Sequence, residues 1–164
     1  MLQCKHIIGL KKRNNFVIFL QGILIVVNVF ALAFLVSGED VLLLHRTNVS
    51  FGSGLYGLSG GKVEHGETAR QAVRREVQEE LALDVPESAF ELVHTVHCKG
   101  TATELVNLIF KVDIAGMQPK NNEPEKHDDM RFFNQHQLPE NIISAHKQAI
   151  ECIGRGIYYS ERGW

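Results

Sequence analysis

The chain has 164 residues, which is enough for one domain with a buried core and too few for two full domains. Its 17 basic and 19 acidic side chains give a formal net charge of −2. A surface with so little excess basic charge excludes the usual electrostatic footprint of a protein that binds duplex nucleic acid, whereas a small nucleotide stays compatible with it.

The three cysteines, Cys4, Cys98 and Cys152, are odd in number and far apart in the sequence. They form neither a C-x-x-C pair nor a zinc-ligand spacing, so we expect free thiols in a reducing compartment. This composition predicts a cytoplasmic protein.

Residues 16–36 form an almost continuous apolar run that follows three basic residues. A run of about 20 apolar residues can serve as a membrane anchor. Residues 29–36, 37–40 and 41–44, however, have the pattern of a strand, a tight turn and a second strand. We therefore expect residues 1–27 to be an apolar extension, with an additional strand in it, ahead of a domain over residues 28–164. A membrane tether through residues 16–36 and a poorly ordered leader are the less favoured alternatives.

The next segment, residues 46–61, is rich in glycine, serine and asparagine and predicts a loop. A helix is predicted from Thr68, a favourable N-cap, to Leu83. Apolar residues recur along it at the spacing of one buried face: Ala72, Val73, Val77 and Leu81.

Two antiparallel strands are predicted beyond that helix, over residues 90–98 and 104–114, which makes a mixed sheet the expected architecture. Residues 117–129 are polar and contain two prolines, so they predict a surface loop. A second helix is predicted to begin at residues 138–141 and to end before Gly154 and Gly156. The aromatic C-terminal segment, residues 158–164, is expected to pack on the domain or on a second subunit, and a homodimer is compatible with it.

Three glutamates lie together on the polar face of the first predicted helix. Glu76, Glu79 and Glu80 stand at positions i, i+3 and i+4. Like charges repel at this spacing, and hard divalent ions such as Mg²⁺ and Mn²⁺ prefer carboxylate oxygens. A solvated acidic face is the alternative interpretation, but the glycine-bearing loop 58–67 directly ahead of the helix favours a ligand or metal site.

These residues resemble the signature of the Nudix hydrolases, G-x5-E-x7-R-E-U-x-E-E-x-G-U, in which U is aliphatic. Every position matches except one, because Ala82 replaces the last glycine; we expect a helix cap without a positive φ there. The sequence matches the signature at these positions: Gly61, Glu67, Arg75, Glu76, Val77, Glu79, Glu80 and Leu83.

The resemblance implies an α/β/α sandwich with a mixed β-sheet, a catalytic loop and helix, and a C-terminal helix. It implies that Glu76, Glu79, Glu80 and the carbonyl of Gly60 bind Mg²⁺, for which Mn²⁺ can substitute. Gly61, Glu67 and Arg75 would have structural roles in the motif, Glu67 and Arg75 as a pair that fastens the loop to the helix.

Residues outside the signature are assigned more loosely by the same resemblance. Glu125 would supply a further carboxylate, as a ligand or general base, with Glu123 as a substitute and Glu79 as another candidate base. Arg46 would contact the substrate, and Lys62 would reach one of its phosphates. Asn141 would contact a purine edge or, alternatively, cap the second helix. The histidines outside the signature, including His94, His97, His127 and His146, form no clear ligand set and are expected to be packed or solvated.

The implied activity is Mg²⁺-dependent hydrolysis of a nucleoside diphosphate linked to another group. The signature region looks most similar to the MutT-like members of the family, and the residues beyond the first helix lack the marker residues of the ADP-ribose and dinucleoside polyphosphate subclasses. We therefore predict a nucleoside triphosphate as the small-molecule substrate, cut to the monophosphate and pyrophosphate. An ADP-ribose or nucleotide-sugar pyrophosphatase and a non-catalytic nucleotide-binding module are the alternatives.

Overall fold

The computed structural model describes residues 16–20, 23–100 and 103–164, with side chains from residue 27 onward. Cys4 lies outside the described residues. The described part contains nine strands, two α-helices and one 3₁₀ turn. Their bounds are β1 Phe16–Leu20, β2 Ile23–Ser37, β3 Asp40–Arg46, β4 Tyr56–Gly57, β5 Ser59–Lys62, α1 Ala69–Leu81, the 3₁₀ turn Glu87–Ala89, β6 Glu91–Lys99, β7 Glu104–Asp113, β8 His127–Asn134, α2 Ser144–Gly154 and β9 Tyr159–Arg162.

All of these strands belong to one mixed sheet organised around β2. The main order is β4-β3-β2-β7-β6-β9, while β1 and β5 also pair with β2 and β8 pairs with β3. Strand β2 pairs in parallel with β7 from Val27 to Val36, and it forms the predicted hairpin with β3. Strands β6 and β7 are antiparallel, as the sequence predicted.

Side chains of β2 alternate between two cores, one on each face of the sheet. Ala31, Ala33 and Leu35 belong to the core that contains the apolar stripe of α1. Leu32, Phe34 and Val36 belong to the core that contains Ala149 and Ile150 of α2. Because successive strand residues point to opposite faces, this continuous apolar run requires a helix on both sides. The predicted α/β/α sandwich is confirmed.

Helix α1 begins where the sequence predicted and ends differently. Thr68 caps its N-terminus, since its side chain accepts from the Gln71 N–H at 3.2 Å and the Gln71 side chain accepts from the Thr68 N–H at 2.9 Å. At the other end Ala82 has φ 52° and ψ 28°, the left-handed conformation. The expectation of a cap without positive φ was wrong, because the backbone keeps the geometry that glycine usually provides at this position.

The prediction of loop throughout residues 46–61 was also wrong, since β4 and most of β5 lie inside that range. Gly60 shows why a glycine-rich segment can be a strand here. A Cβ atom at Gly60 would lie 2.3 Å from the carbonyl oxygen of Ala31, and its φ is +136°. Strand β5 therefore approaches β2 more closely than a residue with a side chain would allow.

Two further predictions in the C-terminal third need correction. Residues 127–129 belong to β8, which pairs with β3, although the sequence predicted loop for them. Helix α2 begins at Ser144 with Ile143 as its N-cap, not at residues 138–141. The segment before it stays extended because the Asn141 carbonyl accepts from the Tyr56 N–H at 2.7 Å and Ile142 bridges to Tyr56.

Both ends of the described chain add strands to the sheet. Strand β1 pairs with β2 from Phe16↔Val27 to Leu20↔Ile23, which agrees with the strand expected in the extension. Because β2 begins at Ile23, the strand runs through the predicted division at residues 27 and 28, and that division stays a prediction. Strand β9 pairs in parallel with β6, so the C-terminal segment packs on the domain. None of the described helices has the length and apolar character needed to span a membrane.

Candidate active site

Glu80 lies at the centre of the site, on the last turn of α1 and against β5. It is only 5% exposed. The Ser59 hydroxyl and the Gly60 N–H both donate to its Oε2, at 2.6 Å and 3.0 Å. Burial raises the pKa of Glu80 to about 7, with the nearby Glu76 carboxylate adding to the shift. A buried carboxylate with two hydrogen bonds on one oxygen leaves its other oxygen, Oε1, available to a cation.

Glu76 extends this acidic group toward Gly61. A Cβ atom built at Gly61 would lie 2.3 Å from Oε1 of Glu76, so the glycine provides the space that this carboxylate occupies. Burial raises the pKa of Glu76, while Arg75 opposes the shift and the charges of Glu79 and Glu123 add to it. The structure thus brings these carboxylates close enough to repel each other, as helical spacing predicted.

Arg75 partly neutralises this cluster and connects it to the loop before α1. Its Nε and Nη2 donate to the two carboxylate oxygens of Glu67, at 3.2 Å and 2.9 Å. Its Nη1 donates to Glu76 Oε1 at 2.7 Å and to Glu79 Oε2 at 3.2 Å. The hydrogen bonds from Arg75 lower the pKa of Glu67. The geometry of Glu67 and Arg75 fits the predicted pair that fastens loop to helix.

The segment between β7 and β8 contributes Glu123 to the site. Ligand atoms of Glu80, Glu123 and His127 all lie within 4.8 Å of one another. Glu123 is held by Lys126, whose Nζ donates to its Oε1 at 2.6 Å. Glu125 is exposed, and its backbone carbonyl accepts from Asn48 at 3.2 Å. The sequence favoured Glu125 and gave Glu123 as the substitute, whereas this geometry places Glu123 beside Glu80.

His127 is the residue of this site that sequence reasoning missed. It is 2% exposed, and its Nε2 lies 3.7 Å from Glu80 Oε1. Burial lowers the pKa of His127, and the positive charge of Arg46 lowers it further. Its position follows from the register of β8, which pairs His127 with Arg46, and no local pattern in the sequence signals that pairing.

Two observations indicate that these side chains are suited to bind a divalent cation. Several carboxylates converge on a buried position where like charges are unfavourable without a counterion. In addition, His127 Nδ1 is the one buried side-chain nitrogen or oxygen, among the described residues, without a hydrogen-bond partner. Oxygen and imidazole donors of this kind are the ligands that divalent ions use in proteins.

A cavity of about 690 Å³ opens beside the acidic group. Gly60, Gly61 and Arg46 form the part of its wall nearest the carboxylates, and the rest is largely apolar. The other lining residues include Phe30, Leu32, Phe51, Leu58, Leu105, Asn107 and Ile143. Ligand pockets of about 300–1,000 Å³ with few polar groups are typical of small-molecule sites.

The remaining predicted substrate residues are placed differently. Arg46 faces the cavity, and its Nε also donates to the Phe51 carbonyl at 3.2 Å. Lys62 is half-buried in β5 and Asn141 is exposed; neither is among the described residues that line the cavity. The Asn141 side chain donates to the Gly54 carbonyl at 3.3 Å, so it neither caps α2 nor faces the cavity.

Two other buried histidines have structural partners, as the sequence predicted. His146 Nδ1 accepts from the Leu58 N–H at 3.0 Å, and burial lowers the pKa of His146 to about 3. His94 contacts the Ile157 carbonyl through Nδ1 at 2.8 Å and the Ser160 hydroxyl through Nε2 at 2.9 Å. Cys98 and Cys152 are buried free thiols.

Comparisons with known proteins agree with this geometry. A family model described as NUDIX domain matches residues 26–152. The chain is 31% identical over 102 residues to an ADP-ribose pyrophosphatase from Methanocaldococcus jannaschii, a match that covers 62% of this chain and 59% of that relative's length.

Solved structures show the same similarity. A MutT NUDIX hydrolase from Burkholderia pseudomallei superposes with a TM-score of 0.69 at 28% identity, covering 76% of this chain and 96% of that one. A bifunctional NMN adenylyltransferase/ADP ribose pyrophosphatase from Francisella tularensis has a TM-score of 0.63 at 19% identity, covers 78% of this chain and 40% of that one, and shows the fold alone.

Proposed function

Because the chain belongs to the NUDIX domain family, we propose that it hydrolyses a nucleoside diphosphate linked to another group, using divalent cations held by the acidic cluster of α1. One observation carries this proposal: Glu80, a buried carboxylate, lies beside Glu76, Glu123 and His127 at the edge of a cavity of about 690 Å³. A purely structural role would not explain a cluster that costs stability in the absence of a cation.

A diphosphate bridge is an anion that repels hydroxide, so its hydrolysis needs positive charge close to its oxygens. When bound, a divalent cation would supply that charge and lower the pKa of an attacking water. Glu76, Glu79, Glu80 and Glu123 are the side chains proposed to hold it, together with the carbonyl of Gly60. Mg²⁺ is the expected ion and Mn²⁺ the expected substitute.

The other side chains around this position are proposed to bind the substrate and to orient the cation ligands. Arg46, in the cavity wall, is proposed to contact the phosphates of a nucleotide whose base lies in the apolar part of the cavity. Arg75 fixes the carboxylates of Glu67, Glu76 and Glu79 in place, which orients the ligands before substrate binds.

Proton removal from the attacking water needs a carboxylate that water can reach. Glu79 meets this requirement, since its side chain is 52% exposed and lies one helical turn from Glu76. We propose Glu79 as the general base, with Glu125 as the alternative because it is exposed on the neighbouring loop. Lys62 is proposed to contact a phosphate from β5.

We propose a nucleoside triphosphate as the preferred substrate, cut to the monophosphate and pyrophosphate. The support is the MutT-like signature and the similarity, at 28% identity over most of the chain, to a protein described as a MutT NUDIX hydrolase. The second candidate is ADP-ribose or a nucleotide sugar. It is favoured by the 31% identity to an archaeal ADP-ribose pyrophosphatase.

A substrate panel tests this choice. Deoxynucleoside and nucleoside triphosphates, ADP-ribose and nucleotide sugars are incubated with the full chain and Mg²⁺, and the products are separated. Release of pyrophosphate and a monophosphate at the highest kcat/KM supports the first candidate. Release of AMP and ribose 5-phosphate from ADP-ribose, at a higher kcat/KM than any triphosphate, replaces it with the second. No hydrolysis of any of them would refute the proposed function.

A further inference from the structure

His127 is a buried imidazole whose ring lacks the partners that a buried histidine normally has. In the described part of the chain its Nδ1 has no hydrogen-bond partner, and its Nε2 is 3.7 Å from Glu80 Oε1, too far for a hydrogen bond. His94 and His146, the two other histidines that are buried among the described residues, both have hydrogen bonds. Leaving a buried nitrogen unsatisfied costs about 1–3 kcal/mol. A cation bound at Nε2 would leave Nδ1 unpaired, so it is the position of Nε2 beside Glu80 Oε1 that points to a ligand role for this ring.

The ring lies at the point where two carboxylates converge. Ligand atoms of His127, Glu80 and Glu123 lie within 4.8 Å of one another. Two ligands that each lie about 2.1 Å from one ion can be at most about 4.2 Å apart. The 3.7 Å between His127 Nε2 and Glu80 Oε1 satisfies this limit. The 4.8 Å that bounds the whole group exceeds it, so binding one ion would draw the Glu123 carboxylate closer to the other two ligands.

Hydrogen bonds from β5, the end of α1 and the start of β8 hold the group in place. Glu80 Oε2 is occupied by Ser59 and Gly60, which leaves Oε1 facing His127. The His127 N–H donates to the Glu123 carbonyl at 3.0 Å, and the Asn122 N–H donates to the Glu80 carbonyl at 2.9 Å. The loop that carries Glu123 is therefore bonded both to the end of α1 and to the start of β8.

We propose that His127 is a nitrogen ligand of a divalent cation bound between Glu80 and Glu123, and that this position selects a transition-metal ion such as Mn²⁺ over Mg²⁺. Imidazole nitrogen suits transition-metal ions, whereas Mg²⁺ prefers an all-oxygen environment with several waters. The inference deepens the proposed function and rests on it for the reaction alone, because cation binding is measured without substrate.

Pulsed EPR of Mn²⁺ bound to the chelator-stripped full chain tests the ligand directly. A ¹⁴N coupling typical of imidazole is expected in the wild-type protein. It should be lost in His127→Gln and retained in His65→Gln, a matched control at an exposed histidine of the loop before α1. The wild-type spectrum keeps the test valid even if the variant fails to fold, because bound Mn²⁺ without a ¹⁴N coupling would overturn the proposal.

Calorimetric titrations with Mn²⁺ and with Mg²⁺ test the proposed selectivity between the two ions. In His127→Gln the affinity for Mn²⁺ should fall about 10–100-fold, the size of effect typical of altered metal shells, while that for Mg²⁺ changes much less. Equal losses for the two ions would show that His127 acts only through the fold and would overturn the proposal. If the wild-type protein hydrolyses substrate but shows no ¹⁴N coupling, this inference is refuted and the proposed function is not. If it shows the ¹⁴N coupling but hydrolyses nothing, the proposed function is refuted and this inference is not.

Discussion

A Cβ atom at Gly61 would lie 2.3 Å from Oε1 of Glu76. Strand β5 and helix α1 are therefore in contact here, with no space for a further methyl group on the strand. Gly61 itself does not need a positive φ. Position 61 requires a glycine because the Glu76 carboxylate occupies the space of a side chain, and not because of the backbone conformation. The proposed cation ligand and the glycine of the signature therefore depend on each other through space.

Gly61→Ala should displace the Glu76 carboxylate while leaving the fold largely intact, because the far end of a side chain moves more easily than backbone. A displacement of about 1 Å at a catalytic group can cost 100-fold in rate, and we expect a loss of about that size in kcat/KM. Steady-state kinetics and thermal melting measure the two effects. Gly154→Ala, where a Cβ atom meets nothing within 4 Å, is the control. Unchanged kinetics in Gly61→Ala would contradict the assignment of Glu76.

Glu80→Gln should abolish most of the turnover without lowering stability in the absence of metal. The folded-state pKa of Glu80 is raised to about 7 by burial, so its ionised form destabilises the fold as pH rises from the ordinary value of 4.5 through 7. A neutral amide removes that cost and still accepts from Ser59 and Gly60.

At pH 8 with a chelator, urea denaturation should therefore show Glu80→Gln at least as stable as wild type, while turnover with Mg²⁺ falls by several orders of magnitude. Glu151→Gln, at an exposed glutamate of α2, serves as the control and should change neither quantity. Wild-type turnover in Glu80→Gln would show that Glu80 holds no catalytic cation.

Ala82→Gly should stabilise the protein, since Ala82 has φ 52° at the C-terminus of α1 and is exposed. A left-handed non-glycine residue costs about 1–2 kcal/mol, and the extra freedom of glycine in the unfolded chain offsets part of that. We expect the free energy of unfolding to rise by about 0.5–1 kcal/mol. Ala89→Gly, at an exposed position without positive φ, should instead lower it. Destabilisation by both changes would argue against the left-handed cap.

His146 should make stability fall in mildly acid solution. Its folded-state pKa is depressed to about 3 by burial, and its Nδ1 accepts from the Leu58 N–H, so the fold requires the neutral ring. The unfolded chain takes up the proton below its pKa of about 6.5, and the stability present above that value is lost as pH falls toward 3.

The loss attributable to His146 between pH 7.5 and 5.5 is about 1.4 kcal/mol. Urea denaturation at these two pH values should show a loss smaller by that amount in His146→Gln than in wild type. His136→Gln, at an exposed histidine, should keep the wild-type dependence. Parallel pH profiles for all three proteins would contradict the depressed pKa.

The part of the site on α1 was predictable because helical spacing alone brings its residues together. Glu76, Glu79 and Glu80 share a face, and the motif spacing carries Arg75 to Glu67. The capping box at Thr68 follows from local sequence in the same way. Local hydrogen bonds and one helix are enough to determine these relationships.

The loop and strand residues were harder to predict because their positions depend on contacts distant in sequence. Glu123 approaches Glu80 because the Asn122 N–H bonds to the end of α1, 42 positions earlier. His127 enters the site through the register of β8 with β3, and the charged, partly exposed pattern of β8 does not signal a strand. Similarly, the pairing of residues 141–143 with Tyr56 delays α2 beyond the favourable helix start at residues 138–141.

The dependence of turnover on divalent cation is the most direct test of the central claim that the α1 carboxylates hold a catalytic cation. Chelator-stripped wild type and Glu80→Gln are titrated with Mg²⁺ and with Mn²⁺ on the best substrate of the panel. We predict no turnover without metal, saturable recovery in the wild type, and almost no recovery in Glu80→Gln at any concentration. Turnover that is independent of added metal, or equal in the two proteins, would contradict it.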